Sequence, residues 1–175
     1  LHWQHQGFFG KPLHWCWRLS WHKQRIFSLA YEPKTESLHL YTGADLSTLK
    51  AYPNPVLSKA EHDLGYPNES DLYFVDEQAG TRAIAIVRRD ADTYSTQLGT
   101  SVAPFMHWQW QDLPLYLASP RLMSFNATNF VIAARYQHTE LTSLTQQQKH
   151  TIQYFGSGKE KQDYSNGELK TGLFT

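Results

Sequence analysis

The 175-residue chain has a single cysteine, Cys16. One thiol excludes an intramolecular disulfide and any zinc site built from several cysteines. Charge is also scarce. Asp, Glu, Lys and Arg make up 18% of the chain, against roughly 25% in an average globular protein. Lys plus Arg equals Asp plus Glu at 16 each, for a formal net charge of +0. That balance excludes a dominant electrostatic hold on nucleic acid or anionic lipid, so no nucleic-acid partner is expected. No run approaches the ~18 apolar residues of a membrane-spanning helix. Aromatic residues are what the chain has in place of charge: 9 Phe, 10 Tyr and 6 Trp, or 14%. With 41% hydrophobic residues it can bury a sizeable core, and its length suits one domain.

The chain begins at Leu1, which leaves room for an upstream tag, signal peptide or membrane anchor. An extracytoplasmic setting, periplasmic or anchored to the envelope, is favoured over the cytoplasm, although the compartment is not fixed by these residues. Two sequons, Asn68-Glu69-Ser70 and Asn126-Ala127-Thr128, matter only in a eukaryotic secretory pathway. The neutral total hides an uneven spread. Residues 1–31 carry +4, residues 32–81 carry −6 and residues 82–175 carry +2. These segments either face one another in the fold or present a bipolar surface to a partner.

The strongest local pattern is Leu13 to His22. Leu13, Trp15, Trp17, Leu19 and Trp21 alternate with His14, Cys16, Arg18, Ser20 and His22, which predicts one half-buried strand of ten residues. Arg25–Tyr31 and Leu38–Tyr41 predict a hairpin around Pro33. Asp45–Lys50 reads as a short helix with Asp45 as its cap, and Val56–Leu64 as a second one. Tyr66–Ser70 reads as loop. Further strands are expected at Leu72–Val75, Arg82–Arg88, Tyr94–Leu98 and Ala103–Gln111, while Phe130–Tyr136 reads as strand or helix, a short apolar run that periodicity does not settle. Ala83 to Val87 is apolar on both faces, as in a central strand covered on both sides. Leu115–Leu117 sits between Pro114 and Pro120. Glu140–Lys149 reads as helix or polar connection, and His150–Phe155 as a last strand. The expected fold is mainly β, or α+β with an antiparallel sheet. It is a single barrel or sandwich-like domain over 1–155 with two or three short helices. Residues 156–175 read as a polar, glycine-containing tail or long loop. No internal repeat is evident.

Three chemical readings follow. His14, Cys16 and His22 share the polar face of the long strand, so a Cys–His nucleophile pair is conceivable. No local motif supplies an oxyanion site, and an enzyme is the less favoured reading. His2, His5, His14 and His22 with Cys16 suggest chelation, yet no zinc signature occurs, and no metal or cofactor is expected. Trp15, Trp17, Trp21, Trp108 and Trp110, with His107, form the third candidate. If the two alternating strands are neighbours, their indoles make one wall, either packed core or a pocket for a sugar or another amphipathic ligand. The phosphate-loop-like Gly156-Ser157-Gly158-Lys159, the Asp90/Asp92 turn and the Arg82/Arg88/Arg89 patch each lack the remainder of a working motif. The reading these residues favour is a soluble, non-catalytic binding or sensing domain. It would hold a small amphipathic molecule or a protein partner on an aromatic-lined β surface. A structural subunit of a cell-envelope assembly and a Cys/His- or metal-dependent enzyme are the alternatives.

Overall fold

The computed structural model describes residues 2–5, 7–62, 66–90, 95–113, 115–126, 129–137 and 169–175. The fold is mainly β, and the described residues form three antiparallel sheets and no closed barrel. Sheet A contains β1 (Trp15–Cys16), β2 (Ser20–His22), β3 (Arg25–Glu32), β4 (Ser37–Gly43), β5 (Lys50–Ala51) and β6 (Leu57–Ser58). β1 and β2 both pair with β3, and β5 and β6 both pair with β4. Sheet A is therefore a four-position meander whose outer strands are each interrupted. Sheet B is the uninterrupted version: β7 (Tyr66–Glu77), β8 (Gly80–Asp90), β9 (Ser95–Val102) and β10 (Gln109–Leu113), paired in chain order. Sheet C is β11 (Leu117–Ser124), β12 (Phe130–Gln137) and β13 (Leu169–Phe174), again in order.

The three meanders share an irregularity. In sheet A, Cys16 faces Ala30 and Ser20 faces Phe27. In sheet B, Pro67 faces Arg89 and Ser70 faces Val87. In sheet C, Ala118 faces Arg135 and Arg121 faces Ala133. Each first strand thus carries one residue more than its partner at the same place, a β-bulge that bends the strand and re-aims its side chains. Pro67 and Pro120 sit at these bulges, where a missing backbone donor is tolerated. That explains why Tyr66–Ser70, read as loop, and Pro120, read as a strand boundary, both lie within strands.

Sheet B is the central layer. Ala83, Ala85 and Val87 face Phe27, Leu29, Leu38, Leu40 and Leu57 of sheet A. Ile84 and Ile86 face Leu117, Leu122 and Ala134 of sheet C. The doubly apolar run of β8 is covered on both sides as its sequence requires. A third, smaller cluster of Ile26, Ala30, Tyr41 and Leu49 lies on the other face of sheet A.

The expected helices reduce to one turn, α1 (Lys59–His62), among the described residues. Leu57 and Ser58 are instead drawn into pairing with Leu38 and Ser37, and Leu57 becomes buried. Asp45 closes a turn instead of capping a helix: its Oδ1 accepts from the Thr48 N–H at 2.9 Å and from Ser47 Oγ at 2.6 Å. No helix follows, because Leu49 turns into the third cluster and Lys50–Ala51 pairs with β4. Strand β10 starts later than its alternation predicts, since Phe105 takes a φ of 65° and packs between Phe27 and Phe74. Leu169–Phe174, within the stretch read as a tail, is a strand on β12, with Phe174 against Tyr136. The elements expected over 140–155 and the glycine-rich 156–159 fall outside the described residues. No helix among the described residues is long and apolar enough to cross a membrane.

Candidate functional site

The bulge in sheet A rewrites the pattern from Leu13 to His22. Directly paired residues share a face of the sheet, so Cys16 lies on the face of Ala30 and Ser20 on the opposite face, that of Phe27. His14 and Cys16 therefore belong to the side bearing Tyr41. Ser20 and His22 turn toward sheet B: Ser20 Oγ donates to the Leu72 carbonyl at 2.9 Å, and the His22 ring stacks on Phe74 at 5.0 Å. His22 and Cys16 are on different faces and form no pair. Burial, against a smaller pull from Ser28, pushes the Cys16 thiol up. A thiol held protonated in this way is a poor nucleophile.

The indoles divide as well. Trp15 and Trp21 are 58% and 66% exposed, and Trp17 stands at the bulge, also exposed. Trp15 stacks loosely on Tyr31, its cross-strand neighbour. Trp108 and Trp110 sit on sheet B, stacked at 5.2 Å and packed against the core between sheets A and B. Their N–H groups donate to the carbonyls of Phe105 (3.1 Å) and Val56 (2.8 Å). The two groups do not join into one wall, because β10 lies at the far edge of sheet B. His107 is exposed, and its carbonyl accepts from Ser101 Oγ. Of the sequons, Asn68 is buried in β7, a position no glycan can occupy.

Two concave features stand out among the described residues. The larger is a cleft of about 930 Å³ between sheets B and C, within the size range of small-molecule sites. Leu98 and Leu113 line it from sheet B, and Phe130, Ile132 and Phe174 line it from sheet C. Those residues belong to the same apolar cluster as the fully buried Ile86 and Leu117 but are themselves only partly covered. Twisted sheets diverge toward their corners in this way. Arg82 stands at the cleft wall with Thr100. Its Nη2 pairs with Glu77 Oε1 at 2.6 Å, while its Nε is buried and has no hydrogen-bond partner among the described residues. A buried donor left unmatched is unusual and calls for an acceptor.

The smaller feature is a groove of about 550 Å³ where the first strands of all three sheets meet. Trp21, His22, Tyr73, Arg121 and Ser124 line it. Beneath it the sheets are tied by buried ions. Arg88 NH1 meets Glu69 Oε2 at 2.9 Å and Arg88 Nε donates to the Tyr116 hydroxyl at 2.7 Å. Glu69 Oε2 also accepts the Ser119 N–H at 2.6 Å. Asp71, fully buried, accepts the Leu122 N–H at 2.7 Å. Glu69 and Asp71 thus hold the bulge of β11, where Ser119 takes a left-handed φ of 49°. No sequence pattern announced this pairing, since its members lie about fifty positions apart.

No family model matches the chain, and no curated protein or solved structure matches it.

Proposed function

We propose that the protein is a non-catalytic binding domain that holds a small amphipathic molecule in the cleft between sheets B and C. The observation that carries this reading is an apolar cleft whose lining includes Arg82, a residue with a buried Nε that lacks a partner among the described residues. Leucine and phenylalanine side chains would take the apolar body of the ligand by area burial. Arg82 would take a hydrogen-bond-accepting head, favourably a carboxylate, through a charge-assisted bond. Aromatic lining is retained from the sequence-based expectation, with Phe130 and Phe174 in place of tryptophan.

Medium-chain fatty acids test it directly. Calorimetric titration with dodecanoate is expected to give saturable 1:1 binding. Ile132→Trp, which fills the cleft, is expected to abolish that binding. Arg82→Met is expected to weaken it by about 10-fold or more, the loss of a hydrogen bond to a charged group. Equal saturation in the Ile132→Trp variant would place the ligand elsewhere and end this reading.

A second reading attaches to the groove at the sheet junction, favoured by the exposed indole of Trp21 beside Arg121 and Ser124. A flat face with polar neighbours suits a sugar ring better than an acyl chain. On this reading Trp21→Ala abolishes binding of glycans in an array screen while leaving dodecanoate binding intact. Glycan binding unaffected by Trp21→Ala would count against it.

A further inference from the structure

We propose that His14, Glu32 and His39 form a site for one divalent metal ion of the zinc class, separate from the ligand cleft. The three come from consecutive positions of sheet A: His14 immediately before β1, Glu32 at the end of β3 and His39 in the middle of β4. The register explains their meeting. His39 faces Ala30 across the β3–β4 ladder, and Glu32 lies two residues further along β3 on the same face. Trp15 faces Tyr31, which brings His14 to the level of Glu32 on the other side.

The ligand atoms converge. Glu32 Oε2 lies 3.7 Å from His14 Nε2 and 3.6 Å from His39 Nε2. One atom from each of the three residues falls within 4.8 Å of the others. The two shorter separations lie in the range of ion pairs and near the spacing of metal ligands. They are too long for hydrogen bonds, which close at about 2.7–3.2 Å for N–H···O. Two ligands each about 2.0–2.1 Å from a tetrahedral ion stand roughly 3.3–3.4 Å apart, close to the spacing found. Octahedral ligands at such bond lengths would stand only about 2.9 Å apart. Two imidazoles and one carboxylate leave one tetrahedral position for water, the ligand set of many hydrolytic zinc centres.

The surroundings fit the assignment. Side-chain exposure is 6% for His14, 13% for His39 and 19% for Glu32, so the site is largely sheltered and opens beside the carboxylate. His14 Nδ1 lies 3.0 Å from the hydroxyl of the buried Tyr41, which the Lys11 N–H also reaches at 3.2 Å. With Nδ1–H donating to this hydroxyl, an outer-shell contact of the kind that orients a ligating imidazole, Nε2 carries the free lone pair for the metal. Ser37 Oγ, 2.9 Å from His39 Nε2, has a second partner in Thr35 Oγ1 at 2.6 Å. It can keep that bond when the ion takes Nε2. The ion would clamp the N-terminal segment and the β1 edge onto the β3–β4 hairpin.

The test starts from protein stripped with a chelator and dialysed into metal-free buffer. Titration with zinc chloride against a chromophoric chelator is expected to show one equivalent bound and a raised melting temperature. Cobalt(II) in its place is expected to give the intense visible bands of a tetrahedral site. His39→Ala and the near-isosteric Glu32→Gln are each expected to weaken zinc binding by 100-fold or more. Tyr41→Phe is expected to weaken it by about 10-fold, the lower end for an outer-shell partner. Far-UV circular dichroism confirms that each variant is folded. No stoichiometric binding at micromolar free zinc overturns the proposal. So does binding that survives the His14→Ala/His39→Ala double substitution, which would place the ion on exposed histidines such as His2 and His5.

Discussion

Replacing Glu69 by alanine is expected to lower stability by about 3–5 kcal/mol, the range for breaking a buried ion pair from one side. Glu69 and Arg88 are nearly enclosed, with side-chain exposures of 13% and 9%. Removing the carboxylate breaks the Arg88–Glu69 ion pair, 2.9 Å long, in a region of low polarity. It also strips the Ser119 N–H of its acceptor, and Ser119 holds the left-handed turn at the β11 bulge. Glu69→Gln keeps an acceptor for Ser119 and is expected to lose less. Acidity gives an independent check. Burial raises the Glu69 carboxyl pKa, but the charge and hydrogen bond of Arg88 and the Ser119 N–H outweigh it and leave it below the usual value. A folded pKa below the unfolded one means stability is present above about pH 4.3 and is lost as pH falls through the folded value. Urea unfolding of the alanine variant is therefore expected to show a shallower acid dependence than the parent. Asp71 runs the other way. Its burial outweighs the Leu122 N–H and Arg121 and raises its pKa, so its contribution favours the folded state at low pH and declines as pH rises. A Glu69→Ala loss under ~1 kcal/mol would show that solvent reaches this network freely.

Gly99→Val is expected to destabilise by about 3 kcal/mol, the upper range for overpacking a filled core. Gly99 lies in β9 between Ala85 of β8 and Trp110 of β10. A Cβ at this position would run into the Trp110 six-membered ring, approaching its Cη2 to 2.7 Å with two ring carbons nearer still. The indole cannot easily yield. Its N–H is held by the Val56 carbonyl and its face by Trp108. The missing side chain is the space in which the tryptophan lies, as when an aromatic covers a glycine in the neighbouring strand. Unfolding followed by tryptophan emission is expected to show both the lost stability and a native spectrum shifted toward that of exposed indole. A valine variant within ~0.5 kcal/mol of the parent, the range of ordinary surface substitutions, would mean that the ring has room to move.

The fold was legible wherever period-two alternation or a doubly apolar run survived intact. Arg25–Tyr31 with Leu38–Tyr41 and Ala83–Val87 are the strands their patterns predict, whereas Phe130–Tyr136, open between strand and helix by its pattern, lies in β12. The misreadings have one recurring source. A bulge adds a residue without altering composition, so the alternation from Leu13 to His22 runs on across a point where the faces exchange. Phe105 was likewise counted as one step of a strand, whereas the core claims it through a left-handed backbone. The candidate sites were less legible because they are built across sheets. The cleft draws on Arg82, Leu98, Leu113, Ile132 and Phe174, five positions that only sheet packing brings together. His14 stands with His2, His5 and His22 in a cluster visible in sequence, whereas Glu32 and His39 lie outside it. The usable signal was the hairpin: a turn at residues 33–36 places Glu32 opposite Ser37 and His39 two positions beyond, on one face.

Chemical-shift mapping of the methyl groups during titration with dodecanoate tests the central claim most directly. The account predicts saturable shifts concentrated at Leu98, Leu113 and Ile132, with Ile26 and Leu49 in the outer cluster of sheet A unmoved. Shifts confined to the groove beside Trp21, or no saturable shift at any methyl group, would contradict it.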